Sequence, residues 1–368
     1  MKRWPIKRLG ELMLPTEQRD PRDSPSNEFL YVDIASVDNR AKSIVTAQTV
    51  IGADAPSRAR KVIRTGDVIV STVRPNLNAV ALVPHNLDDQ ICSTGFSVLR
   101  PSPEVLSGYL FAFVRSPSFV KYLVARTTGA NYPAVSDGQV KDVPIPVPPR
   151  GEQERIVRLL DEADALRRLR TRADQRTANL IPALFHNLFG NPALNPKGFR
   201  KEPLGKLLHV KSGESLPAKE MTTNGSFVVY GGNGITGHHD KFMFENPVIV
   251  IGRVGVYCGA IHLSEPKSWV TDNALYVSEM KEDFAQRYLL TALRVANLNQ
   301  YAGRAAQPLV SGSRIYPVPI LIPPLPLQQE FADRVRDIDE LESVQSRSTA
   351  RLNDLSQSLL HSAFGGAS

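Results

Sequence analysis

The residues that could do chemistry are few, and their neighbours argue against catalysis. Gly232-Asn233-Gly234-Ile235-Thr236-Gly237 has the glycine spacing that cradles a pyrophosphate, and it follows a strand-like run. Phosphate binding also needs a helix whose first amides face the anion. Instead His238-His239-Asp240-Lys241-Phe242-Met243-Phe244 alternates as a strand does, so the glycines suit a close backbone approach to something other than a nucleotide. Glu265-Pro266-Lys267 imitates the carboxylate and lysine of a metal-dependent nuclease. Pro266 would break the strand that must hold such a pair, and Asp240 is the one plausible preceding ligand, so an exposed turn is expected. His238 and His239 are adjacent; on a strand they face opposite ways and cannot share a metal. The sequence has no Gly-x-Ser-x-Gly elbow. Nor has it an Asn/Asp-Pro-Pro-aromatic run of the kind adenine methyltransferases use. The chain is expected to carry no catalytic residue, metal or cofactor of its own.

Charge points to binding. The net charge of +7 is concentrated in two segments: residues 1–150 hold 19 basic and 14 acidic side chains, and residues 191–325 hold 14 and 10. Residues 151–190 are nearly balanced, at 7 against 6, and residues 326–368 are acidic, at 4 against 7. That division fits basic bodies that face phosphate and helices that face protein, although +5 on 150 residues also fits an ordinary surface. A hydrophobic content of 42% supports packed cores rather than disorder. There is no run of 18 apolar residues, and Met1-Lys2-Arg3-Trp4-Pro5 does not open a signal peptide, so a soluble cytoplasmic protein is expected. Cys92 and Cys258 lie in strand-like apolar settings and are read as buried thiols, not a disulfide.

The elements that must position any binding residue occur twice. Val143-Pro-Ile-Pro-Val-Pro-Pro149 aligns with Val318-Pro-Ile-Leu-Ile-Pro-Pro324; the same offset carries Gln153 onto Gln328 and His186–Gly190 onto His361–Gly365. Looser matches pair Leu9–Leu12 with Leu204–Leu207, and Thr128–Ser136 with Ala302–Ser311. Two repeats of this length are two domains, since a solenoid needs at least three. The expected division is a first body at 1–149, a helix at 150–190, a second body at 191–325 and a helix at 326–368.

In the first body, strands are expected at Phe29–Ile34, Val68–Val73, Val80–Val83 and Phe96–Leu99, and a helix at Tyr109–Val124 that Pro117 should break. In the second, strands are expected at Val228–Tyr230, Val248–Ile251, Gly259–Leu263 and Ala274–Val277, and a helix at Phe284–Val295. Each body ends in a Pro-rich extended stretch that cannot be helical.

Both long helices show a seven-residue period. Leu159, Leu166, Ala173 and Leu180 form one stripe; Ile156, Ala163 and Leu184 form its companion, which Arg170 and Thr177 interrupt. In the second copy Phe331, Ile338, Leu352 and Leu359 form the stripe and Gln345 interrupts it. The simplest packing sets each helix against the other, and Pro182 should kink the first near its end or mark where its last turn reforms.

The repeated Pro-rich segment with Gln153, Ile156 and Val157, and its copy at 318–332, resembles the start of the spacer helices in specificity subunits of type I restriction–modification enzymes. Gly66–Thr72, Ser93–Pro101, Thr128–Pro133, Tyr230–Ile235, Val250–Gly255 and Thr271–Tyr276 look like target-recognition-domain motifs. The resemblance covers nearly the whole chain. Each motif alone is weak, but their order, in duplicate and ahead of matched helices, is specific. The second body departs from the first at Ala305-Ala306-Gln307-Pro308, where the first has Asn131-Tyr132-Pro133, and at Asp272-Asn273, where the first has Thr94-Gly95. The resemblance implies an α+β chain with two α/β target-recognition domains in a pseudo-twofold arrangement, separated by two long antiparallel coiled-coil helices. It also implies a non-catalytic subunit that directs a complex to a bipartite, asymmetric site on double-stranded DNA. Partners would be methyltransferase subunits, which would hold S-adenosylmethionine, and a restriction or motor subunit where one is present; no membrane partner is expected. The alternatives are a recognition subunit of a related methyltransferase–nuclease system that cuts beside its site, and a scaffold whose bodies bind no DNA.

On that reading Arg58, Arg60, Lys61 and Arg64 form a candidate phosphate strip, or else a solvated loop. Arg74, Asn76 and Asn78 offer the bidentate groups that recognise guanine and adenine, and Asn131-Tyr132 a polar tip beside an aromatic plane. In the second body the candidates are Tyr230, Asn233, His238, His239, Lys241, Arg253 and Arg304; each could instead be structural, Tyr230 above all.

Overall fold

In the computed structural model of the chain the described residues are 4–129, 133–222, 224–303 and 308–365. They divide into two compact units, one of Met1–Thr171 with Arg347–Ser368 and one of Arg172–Ser346. The boundary falls inside both long helices, so each unit is a globular body with a portion of each helix.

The β-branched runs of the first body become strands in two four-stranded sheets. One has the order Gln48–Ile51, Glu28–Val32, Gln90–Ser93, Ala59–Ile63; the other Met13–Leu14, Phe96–Pro101, Val68–Ser71, Val80–Leu82. Val68–Ser71 is buried at every position, as a continuous apolar run requires when both faces are covered. Behind it a bidentate ion pair joins Arg100 to the buried Asp67, at 3.0 and 2.9 Å. The helix breaks as Pro117 demands, into Ser107–Val114 and Pro117–Val124, with the Ser116 hydroxyl capping the second by accepting from the Phe119 amide. The Pro-rich exit is extended and also paired: Pro144–Pro146 lies antiparallel to Ile6–Arg8, which zips the start of the body to its end.

The second body repeats the plan. Leu208–Ser212, Ala274–Met280, Ile249–Gly252 and Ile261–Leu263 form a four-stranded sheet in that order. Gly234–His239, Phe227–Gly231 and Trp269–Val270 form a three-stranded one. Each body has one parallel pair at the same place, Tyr31 with Ile91 and Val229 with Trp269. Its helix is Gln286–Val295, and its exit Pro319–Ile322 pairs with Arg200–Pro203.

The joint between body and helix is the same in both units. In the first, the buried Gln153 amide accepts from Leu106 N and donates to the Glu104 and Pro148 carbonyls. Gln328 does likewise with Ala285 N and the Pro323 carbonyl. Tyr109 donates its hydroxyl proton to the Pro146 carbonyl, and Tyr288 to that of Leu321. Aromatic rings fill the space beside these bonds: Phe364 packs 5.3 Å from Tyr109, and Phe189 packs 4.8 Å from Tyr288.

Within each unit the helix portions run antiparallel. Arg170 donates to Ser348 in the first, and Phe185 meets Phe331 in the second. The first helix is continuous over Arg150–Ala178 and resumes at Leu180, ahead of Pro182, whose missing N–H leaves the Ala178 carbonyl without its usual donor. In the second helix the expected stripe faces the seam, with Phe331 and Gln345 buried, whereas in the first the companion stripe is the more buried of the two. Leu166 is 50% exposed and Leu180 is 41% exposed, while Ile156, Ala163 and Thr177 of the companion stripe are buried. Two of the three polar interruptions are accommodated there because they satisfy one another: Gln345 donates to the Thr177 hydroxyl at 3.0 Å inside the second unit. A buried polar residue is expensive only when unpaired.

Candidate nucleic-acid interface

One edge of each body is built by the same hydrogen bonds, and it carries a five-residue loop. In the first unit the strand Val68–Ser71 turns through Arg74–Asn78 and returns as Val80–Leu82. Ser71 N donates to Ala79 O, Thr72 N to Gly95 O, Arg74 N to Pro133 O and Val135 N to Thr72 O, all at 2.7–2.9 Å. In the second unit Gly252 N donates to Ala260 O, Arg253 N to Asn273 O, Gly255 N to Pro308 O and Val310 N to Arg253 O. The bonds correspond one for one. They set Gly255–Gly259 in the place of Arg74–Asn78, and they bear out the alignment of Asn273 with Gly95.

Both loops need a left-handed residue at each end. In the second unit these are Gly255 and Gly259, each at φ +84°. At Gly259 no other residue fits, since an added Cβ would lie 2.4 Å from the Asn299 backbone nitrogen. In the first unit Arg74 and Asn78 hold the same conformation at φ +49° and +47°, at a cost on the order of 1 kcal/mol each. The Lys42 ammonium, itself half-buried, ties the loop down by donating to the Asn78 carbonyl at 2.6 Å. Burial, and then the nearby Arg115 charge, hold the Lys42 pKa below the usual lysine value. Nothing in the sequence connects Lys42 to that loop, 36 residues downstream.

The first-body candidates divide. Arg74 and Asn76 are exposed on the loop and Asn78 is half-buried at its end. Arg58 is exposed, and Arg64 is exposed beside Glu17 at 3.0 Å. Arg60 and Lys61 do not extend a phosphate strip. As strand neighbours they face opposite ways. The Arg60 guanidinium is held by the Ala59 carbonyl and Asp20, and the Lys61 ammonium by the Phe96 carbonyl and Asp137 at 2.7 and 2.8 Å. Their charges serve the fold. Asn131 and Tyr132 lie outside the described residues.

In the second body Tyr230 is corrected to a core residue. It is 5% exposed, packs with Val250, Val270 and Ala274, and its hydroxyl accepts from Glu265 N. Burial raises its pKa. The glycine-rich segment is the tip of a hairpin, with Gly231 paired to Gly234 and Asn233 exposed between them. The close approach is to the chain itself: a Cβ on Gly232 would lie 3.1 Å from the Asn273 and Val254 carbonyls, and one on Gly252 2.2 Å from Gly232 O. His238 and His239 are half-buried on the returning strand; His239 bonds the Glu220 carbonyl and packs edge-on against Trp269. Lys241 is exposed beyond that strand. The Arg253 guanidinium donates to Ser212 Oγ and Asp272 O, beneath the five-residue loop. Arg304 lies outside the described residues. Glu265–Lys267 forms an exposed turn in which Lys267 pairs with Glu245. The sequence reading missed the tip of the second loop, Val256 and Tyr257, which are 82% and 59% exposed.

Two bodies with one construction and different exposed side chains match a known family. The model of the type I restriction modification DNA specificity domain matches residues 2–175 and again 196–353. The chain belongs to that family. It is 28% identical over 250 residues to the EcoprrI specificity subunit of Escherichia coli, covering 63% of this chain and 61% of that one. It is 26% identical over 170 residues to the HindI specificity subunit of Haemophilus influenzae, covering 45% of this chain but 34% of that subunit. The chain therefore spans less than two thirds of these two relatives. A chain solved in work on complex assembly and conformational transition of the type I R-M system is 31% identical, with a TM-score of 0.70 over 99% of this chain and 98% of that one. The α+β fold expected from the resemblance is that of the family. No described helix is long and apolar enough to cross a membrane.

Proposed function

We propose that this chain is the DNA-reading subunit of a type I restriction–modification complex, and that each body reads one half of a bipartite site. The observation that carries the proposal is the edge loop, built by one set of backbone bonds in both bodies yet presenting Arg74, Asn76 and Asn78 in one and Val256 and Tyr257 in the other. A shared frame with divergent tips is what two readers of different half-sequences require. Phosphate contacts fix register and carry no sequence information, whereas the groups at the tips can reach base edges. In this reading Asn76, with the amide of Asn78 and the Arg74 guanidinium, serves the first half-site; Arg58 and Arg64 supply phosphate contacts. Asn233, His238, Lys241 and Arg253 would serve the second half-site.

The chain itself performs no bond-making step. Methylation, with its S-adenosylmethionine, belongs to methyltransferase subunits, and cleavage to a restriction subunit where the system has one. Those partners meet the helices, whose acidic residues Asp333, Asp337 and Glu340 would be repelled by phosphate. Methylation-sensitive long-read sequencing of the source genome, with and without this gene, tests the reading. A bipartite adenine motif should lose its mark when the gene is absent. A methylome that does not change refutes the proposal.

A further inference from the structure

We propose that Val256 and Tyr257 are the specificity-determining residues of the second body, and that they read their half-site by apolar contact with a thymine methyl in the major groove. This rests on the DNA-reading role proposed above and names the chemistry of one half of it. Four backbone bonds place Gly255–Gly259 where the first body has Arg74–Asn78. At equivalent loop positions the first body has Pro75 buried, Asn76 exposed and Leu77 48% exposed, whereas the second exposes Val256 and Tyr257 and buries Cys258.

The loop that carries this apolar tip is closed by backbone hydrogen bonds. Cys258 N donates to Gly255 O, Gly259 N to Gly252 O, Ala260 N to Tyr257 O and Gly255 N to Pro308 O. Gly259 is held against the Asn299 backbone with no room for a side chain. The closed hairpin presents Val256, 82% exposed, and Tyr257, 59% exposed, side by side as an apolar tip on the surface of its own body. Arg253 lies two residues before the loop, its guanidinium donating to Ser212 Oγ and Asp272 O, and Lys211 is exposed two strands away on the same sheet. An exposed apolar tip matches the major groove, where the thymine methyl is the apolar feature of the floor. The two halves would then be read by different chemistries: amide and guanidinium hydrogen bonding, beside the exposed Leu77, in the first body, and apolar contact alone at the tip in the second.

The test uses the full chain assembled with its methyltransferase subunits and a duplex library randomised across both half-sites. The wild-type complex should select one bipartite sequence; a complex that selects none refutes the DNA-reading role itself, before any variant is made. V256S/Y257A should relax base preference within one half-site, leave the other unchanged, and keep the salt dependence of binding, because no phosphate contact is lost. Replacing thymine by uracil at the relaxed position should weaken wild-type binding about fourfold, the factor that burying one methyl group confers, and leave the variant indifferent. N76A is the counterpart and should relax the opposite half-site. Both tip residues are exposed, so the variant should melt with the wild type. Unchanged preference in a folded V256S/Y257A complex overturns the proposal. Lost assembly with the methyltransferase subunits while the sequence preference stays intact also overturns it, and assigns the tip to a protein contact.

Discussion

The glutamine at each body–helix joint should be worth several kilocalories, and more in the first unit than in the second. Gln153 makes three bonds, from Leu106 N at 2.9 Å and to the Glu104 and Pro148 carbonyls at 2.9 and 3.0 Å, and is 1% exposed. Gln153→Ala leaves one donor and two acceptors without partners. Each such group costs about 1–3 kcal/mol when water cannot replace the lost bond. Leu106 and Glu104 lie near the surface of the joint, so the lower end applies, for a total of about 3 kcal/mol. Gln328 makes two bonds, of 3.2 and 2.8 Å, and its alanine variant should cost about 2 kcal/mol. Native-state hydrogen exchange measures each unit separately, without assuming that the whole chain unfolds as one. The Leu106 amide should lose protection in Gln153→Ala and keep it in Gln328→Ala, with the reverse at Ala285. A loss below about 1 kcal/mol in both variants would mean that the joint is held by its aromatic rings and the amides are incidental.

Asp67→Ala should destabilise the first unit by about 1–3 kcal/mol in urea titration, because it removes the buried carboxylate shared by the half-buried Arg100 guanidinium and the Arg64 amide, while Glu17, 3.7 Å from Arg100, still offsets its charge. The double variant Thr177→Leu with Gln345→Leu should raise stability by about 1–3 kcal/mol while broadening the exchange profile of the paired helices, since a polar pair in an apolar seam fixes register at a cost in stability. Burial pushes the Cys92 thiol from 9.0 up to about 12, so the folded chain favours the protonated thiol. Stability from this group is complete below pH 9, where both states keep the proton, and falls as pH rises toward 12; denaturation of Cys92→Ala should show less of that alkaline loss. Iodoacetamide at neutral pH should label Cys92 only after unfolding.

Much of this protein could be read from its residues because the deciding physics is local. Pro117 broke the helix and Ser116 capped it, since a missing N–H and a hydroxyl at a helix start act within one turn. The strand runs at 68–71, 96–101, 249–252 and 274–280 lie within a few residues of where alternation and β-branching put them. The duplication identified the joint residues Gln153 and Gln328 and the family to which the chain belongs, because identical packing tasks impose identical residues. Partner choice across distance was beyond it. Whether Tyr230 faced solvent or Val250, whether Lys61 held phosphate or Asp137, and whether Leu166 or Thr177 entered the helix seam each depended on which segments the fold brought together. The matched loops show the limit most plainly. Arg74-Pro75-Asn76-Leu77-Asn78 and Gly255-Val256-Tyr257-Cys258-Gly259 share no residue, and only the backbone bonds reveal them as one structure. Sequence sets propensities along the chain, but hydrogen-bond partners and burial are settled in space, by which donor reaches which acceptor before water does.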